Sequence, residues 1–492
     1  MQLNELTGEA DDEMTAEPLP KAVEVKGLTA DSRKVGPGYL FAALPGSQSD
    51  GRDFIDEAIE KGAVAVLAPK GTALKAYDRK VTLVEDDNPR RRLAILASRF
   101  YRAQPEVVAA VTGTNGKTSV AEFARQIWQH SGLEAASLGT LGLIPAHEEA
   151  PASLTTPDPV ELHACLAALA EDGFERLAME ASSHGLDQYR LDGVRVAAAA
   201  FTSLSRDHLD YHGGMDSYFN AKRRLFAELL ESGGTAVLNA DDAAFPELEE
   251  VVRARGLKMM TYGWGGRNLV LRELEHAPDG LVMTFDLCGS RQQAALPLAG
   301  EFQAHNVLAA LGMAIATDCD RDAAVEALAG LKGVAGRMEH VGRTPSGGEV
   351  YVDYAHTPDA LATVLRAARP HARNRLVAVF GAGGDRDPGK RPQMGAIADE
   401  LADDAIVTDD NPRGETPAAI RREILAAAPR AQEIGDRGEA IARAIVGLRD
   451  GDVLVIAGKG HEPGQIVGDQ VLPFDDREVA RAALQVLAEE AG

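Results

Sequence analysis

The segment Gly113-Thr114-Asn115-Gly116-Lys117-Thr118-Ser119 carries the clearest chemistry in the chain. An apolar run from Val107 precedes it and the amphipathic stretch KTSVAEFARQIWQH follows, so the pattern predicts strand, loop and helix in that order. Glycines let a loop turn its N–H groups onto phosphate oxygens, and the start of the helix adds a favourable dipole. Lys117 would bring a charge to the β- and γ-phosphates, and the hydroxyl of Thr118 or Ser119 would be a ligand for Mg²⁺. The longer version of this loop has a glycine at position 111, where this chain has Val111. The motif is the shortened form Gly-x-x-Gly-Lys-Ser/Thr.

Other residues gain meaning beside such a loop. Glu180 ends the apolar run LAME, and His208 lies in FTSLSRDHLDYHG. A carboxylate at a strand end near bound phosphates suits a Mg²⁺ ligand or a water-orienting group, although either residue taken alone is more often structural. Lys222, in SYFNAKRRLF, reads locally as a solvated helix lysine. The run Gly381-Ala382-Gly383-Gly384-Asp385-Arg386 imitates a dinucleotide fingerprint, but Arg386 occupies the place of the third glycine, which excludes a dehydrogenase. Neither a Gly-x-Ser-x-Gly elbow nor an HExxH helix is present.

The elements that must position these residues are those of an α/β protein. Apolar runs that end in polar or glycine-rich loops recur from Val107 onward, among them VVAAVTGTNGKTS, VYVDYAHTPDAL, LVAVFGAGGDRD and VLVIAGKGHEPG. Such runs, alternating with amphipathic helices, predict parallel sheets covered on both faces, with the ligand crevice at the carboxyl ends of the strands. At roughly 150 residues per domain, 492 residues suggest three domains. The expected division is an acidic flexible tail over 1–21, a small α/β domain over 22–104, a central phosphate-loop domain with a parallel sheet over 105–336, and a Rossmann-like doubly wound domain over 337–492.

Composition narrows the function classes. With 51 Lys plus Arg against 75 Asp plus Glu, the formal charge is −24, which disfavours non-specific nucleic-acid binding. No apolar run reaches the roughly 18–20 residues of a membrane span, and the first twenty residues lack the apolar core of a secretory signal. The three cysteines, Cys165, Cys288 and Cys319, are too scattered for a disulfide framework, and a reducing cytoplasm is expected.

Taken together, the loops resemble the Mur ligase family, ATP-dependent amide-forming enzymes of peptidoglycan synthesis, from about residue 25 to the end. The family's hallmark residues fall on Lys117, Glu180, His208, Asn306 in AHN, Arg337 in GRME and Asp353 in VDYAHTPDAL. The match is nearest to the member that adds a diamino acid to UDP-N-acetylmuramoyl-L-alanyl-D-glutamate. By that resemblance, the phosphate loop with Asn306, Arg337 and Asp353 would bind ATP. Ala30, Ser32, Ser47, Gln48 and Ser49 would hold the UDP end, and Thr155, Thr156, Ser182, Gln188 and Arg190 the muramoyl dipeptide. Lys222 aligns with a lysine that carries a carbamate, an N6-carboxylysine, and joins Thr118, Ser119, Glu180 and His208 around Mg²⁺.

The run Asp410-Asn411-Pro412-Arg413 matches the signature of enzymes that select meso-diaminopimelate over lysine, with Arg386, Gly458 and Glu462 completing the pocket. The implied enzyme is a cytoplasmic monomer that makes an amide through an acyl phosphate. A folylpolyglutamate-synthase-like ligase is one alternative, but that family lacks the N-terminal domain and the DNPR run. A phosphate-loop ATPase or nucleotide switch is another, although the NKxD run that reads a guanine base is absent.

Overall fold

The computed structural model describes residues 1–8, 23–46, 49–74, 81–146, 154–277 and 280–491. Ser47 and Gln48 lie outside them. Three sheets of four, ten and six strands carry the chain, together with one small hairpin over 464–473. Each of the three sheets has a separate hydrophobic core on each face.

The first sheet pairs Gly27–Thr29, Tyr39–Ala42, Ala65–Pro69 and Thr82–Asp86 in parallel and in sequence order. Helix Pro89–Tyr101, capped by the Asn88 side chain, closes one face. The expectation of a tail over 1–21 is corrected for its first residues. Leu3–Thr7 forms a short helix that buries Leu3 and Leu6 completely against Leu93 and Leu96 of this core. Acidic composition over the whole stretch masked a leucine pair three apart, the spacing of one helix face.

The central sheet places Val107–Thr112 between Val196–Phe201 and Arg176–Glu180, all parallel. Register pairs Val111 with Glu180 and Thr112 with Phe201, so these strands end level and deliver their loops to one rim. Leu269–Ala277, Gly280–Leu287 and Ser290–Leu296 depart from the alternating strand and helix pattern by forming an antiparallel meander at one edge. Burial in Gly280–Leu287 largely alternates, the period of a strand covered on one side. Cys288 and Gly289 both take positive φ, +48° and +92°, as a tight primed turn between right-twisted strands requires.

The last sheet runs Glu339–Arg343, Glu349–Asp353, Val453–Ala457, Leu376–Phe380, Asp404–Val407, Gln432–Glu433. Only the first pair is antiparallel. Helices cover both faces in a doubly wound arrangement, so Asp353 and the loops after Phe380, Val407 and Ala457 emerge on the same edge. Among the described residues no helix is long and apolar enough to cross a membrane.

Candidate active site

The phosphate loop leaves strand Val107–Thr112 and enters helix Lys117–His130 without a side-chain cap, so the first N–H groups of that helix stay open. Gly116 has φ +86°, and a Cβ there would come within 2.4 Å of the Asn306 Oδ1. At Gly113 a Cβ would lie 1.8 Å from the Thr202 hydroxyl, which itself donates to the Asn115 carbonyl at 2.6 Å. Both positions exclude any side chain. Lys117 folds back over the loop and donates to the carbonyls of Gly113 at 3.0 Å and Thr114 at 2.8 Å.

Thr114 to Ser119 line a cavity of about 410 Å³ together with Glu180, His208, Lys222, Asn306, Arg337 and Asp353. All the residues expected around ATP except Gly113 therefore meet at one opening. The C-terminal unit supplies part of the wall. Arg337 donates to the Thr118 hydroxyl at 3.1 Å and lies over the Tyr354 ring, and the Asn115 amide reaches the Asp359 carboxylate at 3.1 Å. Asp353 accepts the N–H groups of Met338 and Ala355, which fixes the turn that aims Arg337.

Glu180 accepts from the Thr140 N–H at 2.8 Å and from its hydroxyl at 3.2 Å. Thr155, Thr156, Ser182, Gln188 and Arg190 are joined into one network behind it. Thr155 meets the Thr140 hydroxyl, Thr156 donates to the Glu180 carbonyl, and Ser182 N–H donates to the Thr156 hydroxyl. Arg190 spans the Thr156 carbonyl and the Gln188 side chain. The Ser182 hydroxyl also caps helix Ser183–Asp187. Ala30, Ser32 and Ser49 do not join this cavity. They belong to the first unit, where Ser32 donates to Glu57.

Lys222 is not the solvated lysine its local pattern suggests. It is 1% exposed, donates to the Gly113 carbonyl at 2.7 Å and stands 4.3 Å above the Tyr218 ring. Burial, and then the nearby Lys117, push its ammonium well below the usual lysine range. Burial lowers Lys117 as well, against the opposing pull of Glu180 and Asp207. His208 adopts φ +54° and is held down to about 4 by burial, against the pull of Asp207.

A Mg²⁺ ion fits this donor set. Glu180 offers a hard carboxylate and Thr118 and Ser119 offer hydroxyls, and magnesium commonly takes only one or two protein carboxylates beside water and phosphate oxygens. No group of three or more His, Cys, Asp or Glu side chains able to hold a metal occurs among the described residues, so the chain alone forms no closed cage.

A second cavity of about 150 Å³ shares Asp207, His208, Tyr354 and His356 with the first. Arg386, Asp410, Asn411, Arg413, Gly458 and Glu462 line it, whereas Pro412 does not. The glycines of GAGGDR serve close packing here. A Cβ on Gly384 would lie 1.9 Å from the Pro412 carbonyl, so the two loops could not otherwise touch. Arg413, at φ +50°, donates to the Gly384 carbonyl at 2.8 Å. Buried Lys459 donates to Glu462 at 2.8 Å and to the Asn411 oxygen at 2.9 Å, while the Asn411 amide donates to Glu462. Asn411 is thus committed to framing Glu462.

Sequence reasoning missed Asp207, Tyr218, His305, Tyr354 and His356, all of which line the larger cavity. Asp207 and His305 adjoin residues that were singled out, in RDH and AHN, and that adjacency was the available signal.

Family models match three segments. The Mur ligase family catalytic domain covers residues 24–101, the Mur ligase middle domain 111–314, and the Mur ligase glutamate ligase domain 336–460. A curated relative from Bradyrhizobium diazoefficiens, a UDP-N-acetylmuramoyl-L-alanyl-D-glutamate–2,6-diaminopimelate ligase, is 52% identical over 98% of this chain and 99% of its own length. One of the same description from Caulobacter vibrioides is 52% identical over 94% of this chain and 96% of its own. A solved structure of a ligase of that description matches with a TM-score of 0.71 and 33% identity, covering 99% of both chains.

Proposed function

The chain belongs to the Mur ligase family, and from that premise we propose that it joins meso-diaminopimelate to UDP-N-acetylmuramoyl-L-alanyl-D-glutamate, converting ATP to ADP and phosphate. One observation carries this reading. A phosphate-loop cavity and a smaller cavity rich in paired charges share a wall at Asp207 and His208, as a reaction between an activated carboxylate and a zwitterionic amine requires.

A carboxylate acylates poorly, so ATP first converts the glutamate carboxylate into an acyl phosphate. The negative charge of the transferring phosphoryl group must be met in place, and preorganised donors do this without reorganisation cost. Lys117 and the open N–H groups of helix Lys117–His130 surround that position, with Arg337 closing it from the other unit. The Thr155, Thr156, Ser182, Gln188 and Arg190 network borders the same cavity and would orient the dipeptide end. The amine enters from the smaller cavity, attacks the acyl carbon, and phosphate leaves. Walls from two units exclude water, which would otherwise hydrolyse the acyl phosphate. Mg²⁺ held by Glu180, Thr118, Ser119 and His208 would neutralise phosphate charge.

Lys222 fits a carbamate. A buried, neutral amine attacks carbon dioxide, releasing one proton and leaving one N–H for the bond to the Gly113 carbonyl, and the carbamate would add an anionic group to those that would hold Mg²⁺. A carbon-13 spectrum in labelled bicarbonate should show the carbamate, and Lys222→Ala should lose activity that small carboxylic acids partly restore. No carbamate signal, with Lys222→Ala fully active, would dispose of that role.

The reading includes a cytoplasmic monomer that uses ATP. Its direct test is ADP release with the UDP-muramoyl dipeptide and diaminopimelate supplied singly and together. ADP should appear at an appreciable rate only with both, with the tripeptide product detected by mass. ATP hydrolysis indifferent to both would instead mark a nucleotide switch.

A further inference from the structure

Among the described residues, Arg190 is held by neutral acceptors and has no carboxylate in salt-bridge reach. Its Nη1 donates to the Thr156 carbonyl at 2.6 Å, and its Nε and Nη2 share the Gln188 Oε1 at 3.2 and 2.7 Å. Burial pushes this guanidinium below its ordinary range, against the pull of Asp158. The Asp158 carboxylate is occupied elsewhere, accepting the Val160 and Glu161 N–H groups at the start of helix Pro159–Glu171. Arg90, which donates from the first unit to the Pro45 carbonyl, adds a like charge from across the boundary. A partly buried cation in these surroundings calls for an anionic ligand.

The plane of that cation is fixed by a relay of hydrogen bonds whose direction is set at its far end. The Tyr211 hydroxyl donates to the Asp187 Oδ2 at 2.7 Å and lies 3.0 Å from the Gln188 Nε2. A carboxylate only accepts, so the single phenol proton is committed to Asp187. Burial raises the phenol above its ordinary range, which keeps that proton in place. The phenol oxygen is left to accept, and this turns the Gln188 amide nitrogen towards Tyr211. The amide oxygen must then face Arg190. Flipped, the amide would set its N–H groups against those of the guanidinium. The Tyr211 ring is seated as well, its centroid 4.1 Å from that of His184. A guanidinium has five N–H groups. One each on Nε, Nη1 and Nη2 is engaged, so one remains on Nη1 and one on Nη2.

We propose that Asp187 and Tyr211 are positioning residues for the muramoyl dipeptide, acting through Gln188 to hold Arg190 with its two unused N–H groups open to an anionic group of that substrate. This rests on the ligase reading above and on Gln188 and Arg190 serving the dipeptide end. Neither positioning residue touches the dipeptide. They set the direction of the bonds behind the residues that do.

The test measures kcat, the thermal midpoint, and KM for the UDP-muramoyl dipeptide, ATP and diaminopimelate. It compares the parent enzyme with Tyr211→Phe, Asp187→Leu, Gln188→Leu and the double variants that contain Tyr211→Phe. Tyr211→Phe keeps the ring on His184 and removes only the hydroxyl. It should raise KM for the dipeptide substrate about 3- to 10-fold, the range of one lost hydrogen bond. The other two KM values, kcat and the midpoint should stay near those of the parent. Asp187→Leu should give a rise of the same size, and its combination with Tyr211→Phe no more than either alone, because both break one relay. Gln188→Leu should raise the same KM, and adding Tyr211→Phe to it should do nothing further.

An unaltered KM in Tyr211→Phe or in Asp187→Leu would overturn the inference alone. So would a further rise when Tyr211→Phe is added to Gln188→Leu, which would put the hydroxyl directly on the substrate. A loss confined to kcat would assign Tyr211 to the chemistry instead of the dipeptide and overturn it as well. A Gln188→Leu enzyme with the parent KM would take the dipeptide role from the network, and this inference with it. A parent enzyme that does not consume the UDP substrate would bring down the ligase reading itself.

Discussion

The two adjoining cavities are built in opposite ways. The larger is organised by one continuous loop, Thr114 to Ser119, whose backbone does most of the shaping; Gly116 within it and Gly113 just before it tolerate no side chain. The smaller is assembled from loops after five different strands, and its character comes from charged side chains held by other side chains. Glu462, for example, depends on Lys459 and Asn411 for its position. A backbone-built site fixes which chemistry can occur. A side-chain-built site fixes which molecule takes part, and single substitutions can retune it.

The largest effect that would break this contrast belongs to Arg413. Its planar guanidinium can grip the far carboxylate of diaminopimelate with two parallel hydrogen bonds, and lysine, which lacks that group, would leave it unpaired. The parent enzyme should favour meso-diaminopimelate over lysine by about 10³-fold or more in kcat/KM, and Arg413→Ala should erase most of that preference. Arg413→Lys should rescue poorly, because an ammonium cannot reproduce the fork. The nucleotide cavity should not notice, so KM for ATP should stay within a few-fold. Equal use of the two amino acids by the parent enzyme would end the specificity claim and spare the ligase claim.

Next is Lys117, on the other side of the shared wall. Removing one preorganised charge-stabilising contact costs about 3 kcal/mol in catalysis, so Lys117→Ala should lose at least that for both amino acids alike. The structure also makes Lys117 a desolvated cation close to Lys222, with backbone carbonyls as its hydrogen-bond partners. Its loss should therefore leave the thermal midpoint unchanged or raise it, the trade-off expected where function holds an unfavourable charge in place. A mutant with near-parent turnover would remove the phosphate loop from the mechanism.

The same contrast explains what the sequence could convey. Gly113 to Ser119 was legible because a strand, a glycine turn and a helix start occupy adjacent positions, and the geometry follows from local backbone rules. The parallel sheets were legible from continuous apolar runs. Lys222 was not legible from its surroundings, since its burial comes from the packing of Tyr218 and the distant Gly113 loop. The same holds for Asp207 and Lys390, each of which faces a charge from across the boundary between the central and C-terminal units. The helix Leu3–Thr7 was hidden in acidic composition, because its partners lie some ninety residues away.

A third prediction probes a titrating group outside both cavities. His163, 2% exposed on helix Pro159–Glu171, lies with its Nε2 3.0 Å from the Asp192 carbonyl, and burial holds it down to about 4. An unfolded histidine titrates near 6.5, so as pH falls the unfolded chain takes up this proton first. Stability from the neutral ring is full above about pH 6.5 and is lost as pH falls towards 4, on the order of 2–3 kcal/mol. His461 shifts in the same direction, so His163 accounts for only part of the acid loss. In urea titrations from pH 7 to 4.5, His163→Gln should flatten that loss while leaving activity at pH 7 nearly intact. Identical pH slopes in parent and variant would remove His163 from the account.

The smallest effect concerns the link between the two regions. Arg206, from the central unit, pairs with Asp387 of the C-terminal unit at 3.0 Å, beside the mouth of the smaller cavity. The arginine side chain is 48% exposed, so water and salt screen the pair, and ordering two long side chains offsets much of its Coulomb gain. A double-mutant cycle through Arg206→Ala and Asp387→Ala, read as KM for the amino acid, should give a coupling below about 1 kcal/mol, or roughly 5-fold. At 0.5 M salt the coupling should shrink further, because the screening length falls to about half its value at 0.1 M. A coupling of several kcal/mol that persisted at high salt would contradict the contrast drawn above. It would mean that the ion pair locks the two units together, and that amine selection and phosphoryl chemistry belong to one rigid site instead of two neighbouring ones.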